Sequence, residues 1–140
     1  MIERVNPEQL ARPAGFSHAV VASGSVVFLA GQTAMAADGS IVGADVVSQF
    51  ETALGNVLTA LRAAGGAPHD LASLTVYAVD LADYRRNAAA IGQVWRRLVG
   101  RDYPAMAAVG VTRLWDDEAL VEVQGYAVLS APASSADASR

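Results

Sequence analysis

Glu122 is an acid set inside an apolar strand, and its type and place point to chemistry. In Leu120-Val121-Glu122-Val123-Gln124-Gly125-Tyr126-Ala127-Val128, a side-chain period of two puts Leu120, Glu122, Gln124 and Tyr126 on one face. Val121, Val123, Gly125 and Ala127 fall on the other. A carboxyl group held there can activate a water molecule or carry a proton as general acid or base. The competing reading is structural, with Glu122 hydrogen-bonded to backbone or to a neighbouring subunit. The two histidines are the other groups that titrate near neutral pH. His69, between Pro68 and Asp70, reads as a solvent-exposed loop residue. His18 and His69 are far apart in sequence and lack a local carboxylate constellation, which makes a weak case for a metal.

Missing residue types narrow the chemistry further. The chain has no cysteine, which removes disulfides, thiolate catalysis and thiolate metal sites together. All ten basic residues are arginine; without lysine there is no internal Schiff base and no phosphate-loop lysine. The formal charge of −4 argues against a nucleic-acid partner, which normally meets a basic face. Arg85-Arg86 and Arg96-Arg97 invite a phosphate patch, but their spacing around Trp95 puts them mostly on the solvated face of a helix. The three methionines have no repeated spacing and imply no cofactor box, so no cofactor is expected. Met1-Ile2-Glu3-Arg4 does not open a secretory signal, and no apolar run approaches a membrane span. The expectation is a soluble, cytoplasmic protein acting on a small molecule.

The elements that must position Glu122 can be traced along the chain. Residues 17–21 and 26–30 are short apolar runs separated by Ser23-Gly24-Ser25, which is hairpin turn chemistry. From Val47 the spacing changes, and Val47, Phe50, Leu54, Val57, Leu58 and Leu61 share a helical face. Asp45 is placed to cap this helix and Gly65-Gly66 to end it. Residues 74–79 return to strand character. Tyr84, Ala88, Ile91, Trp95 and Leu98 then trace a second helix, opened near Asp83 and closed by Gly100. Residues 103–112 and 120–128 read as strands joined most simply by a long hairpin around Arg113 to Glu118, with Pro104 at a strand start, where its missing N–H costs no ladder bond. Strand, helix, strand over 74–112 is a βαβ unit.

Two helices and about six strands make an α+β two-layer sandwich, a mixed sheet with both helices on one face. A chain of 140 residues at this size buries about 68% of its unfolded surface, enough for one domain without a staple. That domain is expected over residues 1–130, followed by a small polar tail over 131–140 expected to be disordered. Val26, Phe28 and Ala30 alternate with Val27 and Leu29, so both faces of that strand are apolar. A two-layer monomer would leave one of them in water, and oligomerisation through the sheet is the natural remedy.

With these elements in order, the chain resembles the Rid family (RidA-like, also called YjgF/YER057c/UK114) across residues 15–128. The resemblance rests on Gly15-Phe16-Ser17-His18-Ala19-Val20, Ala30-Gly31-Gln32, Leu54-Gly55-Asn56-Val57 through Ala63-Ala64-Gly65, and Leu74-Thr75-Val76-Tyr77-Ala78-Val79-Asp80-Leu81. Asn87, Tyr103-Pro104-Ala105 and Val121-Glu122-Val123 extend it. It implies a chorismate-mutase-like fold assembled as a homotrimer, with three sheets facing inward and a cleft between each pair of subunits. Members that hydrolyse 2-imino or enamino acids carry, after Pro-Ala, an arginine that grips the substrate carboxylate. Here that place holds Met106, so the resemblance is to an arginine-lacking member. A thioether cannot imitate a bidentate guanidinium, and a charge-assisted hydrogen bond is typically worth about 1.5–3 kcal/mol.

The same comparison puts Ala108 where the family has a cysteine, Phe16 where it has a tyrosine and Ala30 where it has a serine. A pocket so depleted of polar groups is expected to prefer a neutral or partly aromatic ligand. Glu122 matches the family's acidic residue, proposed there to position the hydrolytic water or shuttle a proton. Apolar neighbours such as Met106 would favour its protonated form. His18 lies where many relatives carry glutamine; it is a candidate second proton-transfer group, with a satisfied structural histidine beside the first strand as the simpler reading. Trp115 is placed either to line the cleft or to pack between subunits. Arg113 is no relocated anchor, since seven residues of extended chain put it roughly 23 Å from Met106.

Three function classes remain open. The first is a cofactor-independent enzyme on a small unsaturated nitrogen or carbonyl compound, with Glu122 moving the proton in a hydrolase, deaminase-like or tautomerase-like step. The second is a small-molecule binding or sensing trimer without catalysis. The third is an endoribonuclease, disfavoured by the acidic charge.

Overall fold

A computed structural model of the chain describes residues 1–130, and the expectation for the tail over 131–140 lies outside them. The element order is β1 (Ile2–Val5), β2 (Ala19–Ala22), β3 (Ser25–Gln32), α1 (Val46–Ala63), a 3-10 turn (Pro68–Asp70), β4 (Leu71–Ala78), α2 (Leu81–Arg86), α3 (Ala88–Leu98), β5 (Ala105–Gly110) and β6 (Val121–Leu129). A four-stranded mixed sheet in the order β3-β6-β4-β5 carries the helices on one face, and β1 and β2 form a separate antiparallel pair. The α+β two-layer sandwich is as expected. Its six strands, however, are divided four and two rather than joined in one sheet.

Two expected hairpins do not form. β2 pairs with β1 and β3 with β6, so Ser23-Gly24-Ser25 hands the chain from one sheet to the other. Gly24 is needed there: it has φ +142°, and a Cβ on it would lie 1.8 Å from the carbonyl oxygen of Leu129. β5 and β6 are not neighbours either. β4 stands between them, parallel to β5 and antiparallel to β6. The helical crossover from β4 returns the chain beside β4 in the same direction, as a βαβ unit does, and the loop over 111–120 then steps across β4 to reach β6.

Helix α1 starts where its chemistry says it must. The Asp45 carboxylate accepts from the Ser48 backbone N–H at 2.8 Å, and the Ser48 hydroxyl reaches back to Asp45 N, a capping box. At its other end Gly65 N donates to Arg62 O and Gly66 N to Leu61 O, with Gly65 at φ +93°, the Schellman pattern that only a residue free of left-handed strain makes cheaply. The second expected helix is two. Asp80, rather than Asp83, caps α2 by accepting from Asp83 N at 3.0 Å, and the chain breaks at Asn87, whose side chain donates to Asp83 O at 2.9 Å.

The apolar stripe of α1 packs across β6 and β3 and against α3. Phe50, Leu54, Leu58 and Leu61 are buried there with Leu74, Val76, Val121, Val123 and Trp95. Each such side chain contributes about 1.5–3 kcal/mol on burial, against about 0–1 kcal/mol for an exposed ion pair such as Arg113–Asp117. The core therefore holds the fold. Among the described residues, no helix is long and apolar enough to cross a membrane. No described residue covers the sheet face away from the helices: Phe28 is 78% exposed, Val26 53% and Tyr126 44%.

Candidate functional site

Register decides which candidate residues meet. Met106 pairs with Leu74 and Ala108 with Val76. Paired residues share a face, so Met106 and Ala108 look toward the helices with the buried Leu74 and Val76. Glu122 pairs with Tyr77 and looks the other way. Within one chain the sheet separates Met106 from Glu122.

The helix side holds a cavity of about 490 Å³ between α2, α3 and the edge strand β5, within the range of small-molecule sites. Met106, Ala108 and Val76 form its floor, and Phe16 closes one side. Phe16 is held in place by its neighbour: Ser17 N donates to Pro104 O at 2.9 Å and the Ser17 hydroxyl to Tyr103 O at 2.7 Å, which lays this segment along the free edge of β5. Tyr84, Ala88, Gly92, Trp95 and Arg96 line the helix wall. Trp95 stacks on Tyr103 with ring centroids 5.1 Å apart and 11° between planes, and its indole N–H donates to Asp102 O at 3.0 Å. Burial, with a smaller contribution from neighbouring Tyr103, pushes the Tyr84 phenol up to about 12, so it stays protonated and able to donate.

On the open face, Glu122 meets Gly31, next to Ala30, at a β-bulge. Leu29 opposes Gly125 and Gln32 opposes Val123, so Ala30 and Gly31 together face Gln124. Gly31 makes the room: a Cβ on it would lie 2.6 Å from Glu122 Oε2. The carboxylate thus rests over bare backbone at the bulge. Beside it, the Tyr77 hydroxyl donates to Gln124 Oε1 at 3.2 Å.

The remaining candidates are placed as follows. His18 lies edge-on to Phe16, centroids 5.0 Å apart, with its Nε2 2.7 Å from Ala11 O and its backbone N–H donating to Asn6 at 2.8 Å. It touches Phe16 without lining the cavity, and one ring nitrogen is engaged by backbone. Trp115 is 91% exposed in the β5–β6 connection, over a shallow hollow with Arg113 and Leu114, and forms no part of the cavity wall. Arg113 pairs with Asp117 at 2.9 Å, and His69 is exposed.

Residue patterns alone missed Tyr84, Tyr103, Trp95, Gly92 and Arg96 as cavity residues. Tyr84 and Trp95 were legible only as a helix's apolar stripe. The signal that a cavity adjoins them is the small side of α3, Ala88, Ala89 and Gly92, which cannot fill the space opposite β5.

The family model described as Endoribonuclease L-PSP matches residues 7–129. A RutC family protein of Pyrococcus horikoshii is 32% identical over 128 residues, covering 91% of this chain and 98% of its own length. TdcF of Escherichia coli, provisionally named a reactive intermediate deaminase, is 34% identical over 111 residues, covering 77% of this chain and 82% of its own. A crystal structure of a Rid-family protein of unknown function, YyfB from Yersinia pestis, superposes with a TM-score of 0.82 at 36% identity, covering 91% of this chain and 98% of that one.

Proposed function

We propose, from the premise that this chain belongs to the Rid (Endoribonuclease L-PSP) family, that it acts as a deaminase-like hydrolase of a small imine or related unsaturated compound. The reading includes a homotrimer and a reaction without cofactor. It rests foremost on one observation: an apolar cavity and an uncommitted carboxylate occupy opposite faces of the same sheet. A cleft between two subunits brings such groups together, one subunit offering the cavity at Phe16, Met106 and Ala108 and its neighbour offering Glu122 over Gly31. The naming of the TdcF relative as a reactive intermediate deaminase supports the same class of reaction.

In this cleft Glu122 accepts a proton from water as the water oxygen bonds to the imine carbon. The C=N π pair moves to nitrogen, which takes that proton from Glu122 to give a carbinolamine. Glu122 then draws off the hydroxyl proton and delivers it to nitrogen as the C–N bond breaks, so a carbonyl compound and ammonia leave and the carboxylate is regenerated. A proton-transfer step alone, without water addition, is the tautomerase-like variant of the same machinery. With Met106 where deaminating members keep arginine, β5 itself offers no charge to the carboxylate of 2-iminobutanoate.

The test is turnover of imines generated in situ by an amino-acid oxidase from aliphatic and aromatic amino acids. General acid–base catalysis contributes about 10²–10⁴-fold, so Glu122→Gln should lose at least a hundred-fold in kcat on whichever imine the wild type hydrolyses. Equal rates for the two proteins would remove Glu122 from the chemistry. A second reading, a binding or sensing protein, is favoured by the failure of Glu122 to face the cavity of its own chain. It requires ligand affinity without turnover in the wild type. The net charge of −4 continues to weigh against ribonuclease activity.

A further inference from the structure

Resting on the cavity as the ligand site, we infer that Arg96 is its specificity-determining residue, binding the carboxylate of a small organic anion from the helix wall rather than from β5. Arg96 carries the single formal charge on the cavity lining, and no aspartate or glutamate borders it. Ala88, Gly92 and Arg96 are spaced by four and share one face of α3, and all three border the cavity. A Cβ built on Gly92 would meet nothing within 4 Å, so the space beside that turn of α3 is open, and Arg96, one turn on, is solvent-exposed.

Charge pairing separates Arg96 from its neighbours. Arg97 pairs with Glu51, Arg86 with Asp83, Arg113 with Asp117 and Arg4 with Asp102. Arg96 forms no ion pair among the described residues. Arg12, Arg62, Arg85 and Arg101 form none either, but they do not border the cavity. Inside, the Tyr84 phenol is held protonated, and neither it nor the Tyr103 phenol donates a hydrogen bond among the described residues. Hydrogen-bond donors and a guanidinium around an apolar floor fit a ligand with an anionic, acceptor-rich head and an apolar body. The expectation of a neutral ligand considered the β5 side alone; α3 brings a cation to the same space.

The competing account is that Arg96, in the last turn of α3, only complements the carbonyl end of the helix. A matched pair of probes decides: 2-oxo-4-phenylbutanoate and 4-phenylbutan-2-one, which differ by carboxylate against methyl, titrated by ligand-observed NMR. The wild type should bind the oxo acid at least ten-fold more tightly than the ketone. Arg96→Gln should abolish that preference with ketone affinity and denaturation midpoint unchanged, Arg96→Lys should keep part of it, and adding Met106→Arg to Arg96→Gln should restore it. No preference in the wild type, an undiminished preference in Arg96→Gln, or an equal loss for both probes would each overturn the assignment. Failure of the hydrolase reading appears elsewhere, as turnover indifferent to Glu122→Gln.

Discussion

Tyr84 shows how a single side chain changes character when an element turns it inward. Burial against Phe50, whose ring lies edge-on at 6.2 Å, holds the phenol protonated up to about 12, against 10.0 ordinarily. In the unfolded chain the same group loses its proton near its ordinary value. Its contribution to stability is therefore complete below about pH 10 and is lost as the pH rises from there through about 12. Absorbance titration of the phenolates should show one of the four tyrosines ionising last. Tyr84→Phe should remove that late step and flatten the fall in denaturation midpoint between pH 10 and 12. A late step that survives the substitution would place it on another tyrosine.

The elements owe their limits to a few local contacts, and these were partly legible. Asp45 and Gly65 announce the ends of α1 because a cap acceptor and a left-handed residue are local needs. Asp45→Ala removes the acceptor for Ser48 N and should lower stability by about 1 kcal/mol in chemical denaturation at neutral pH. Asp45→Asn, which keeps an acceptor oxygen, should recover most of it. The break at Asn87 was not legible, since the apolar spacing runs through it from Tyr84 to Leu98. What interrupts the helix is the Asn87 side chain bonding back to Asp83, a competition that composition does not reveal.

Across the whole molecule, the uncovered sheet face is the outstanding feature. Phe28 and Tyr126 oppose each other across β3 and β6, rings edge-on at 5.5 Å, with Val26 beside them and nothing above them among the described residues of one chain. The proposed trimer covers this face. Sedimentation equilibrium of the wild type should give about three times the 14.5 kDa of one chain. Phe28→Glu, which sets a charge into that contact, should sediment as a monomer and lose imine turnover with it. A wild-type monomer at micromolar concentration would remove both the trimer and the composite cleft.

The periods of two and 3.6 in the apolar residues were enough to determine an α+β sandwich, its two-sided apolar strand and the caps of α1, because these depend on neighbours a few residues away. The phase of β6 likewise set Glu122 apart from Val121 and Val123. Strand order was out of reach: whether β5 pairs with β6 or with β4 depends on which partner the core accommodates over fifty residues of chain, and local turn chemistry suggested the wrong one. The sequence put Met106 and Glu122 around one intersubunit pocket; the register of β5 and β6 on β4 adds that within one chain they occupy opposite faces of the sheet. The cavity itself is absence of volume between α3 and β5, and Ala88, Gly92 and Arg96 border it from one face of α3. Such a void is a property of packing between distant segments, which tertiary structure alone decides.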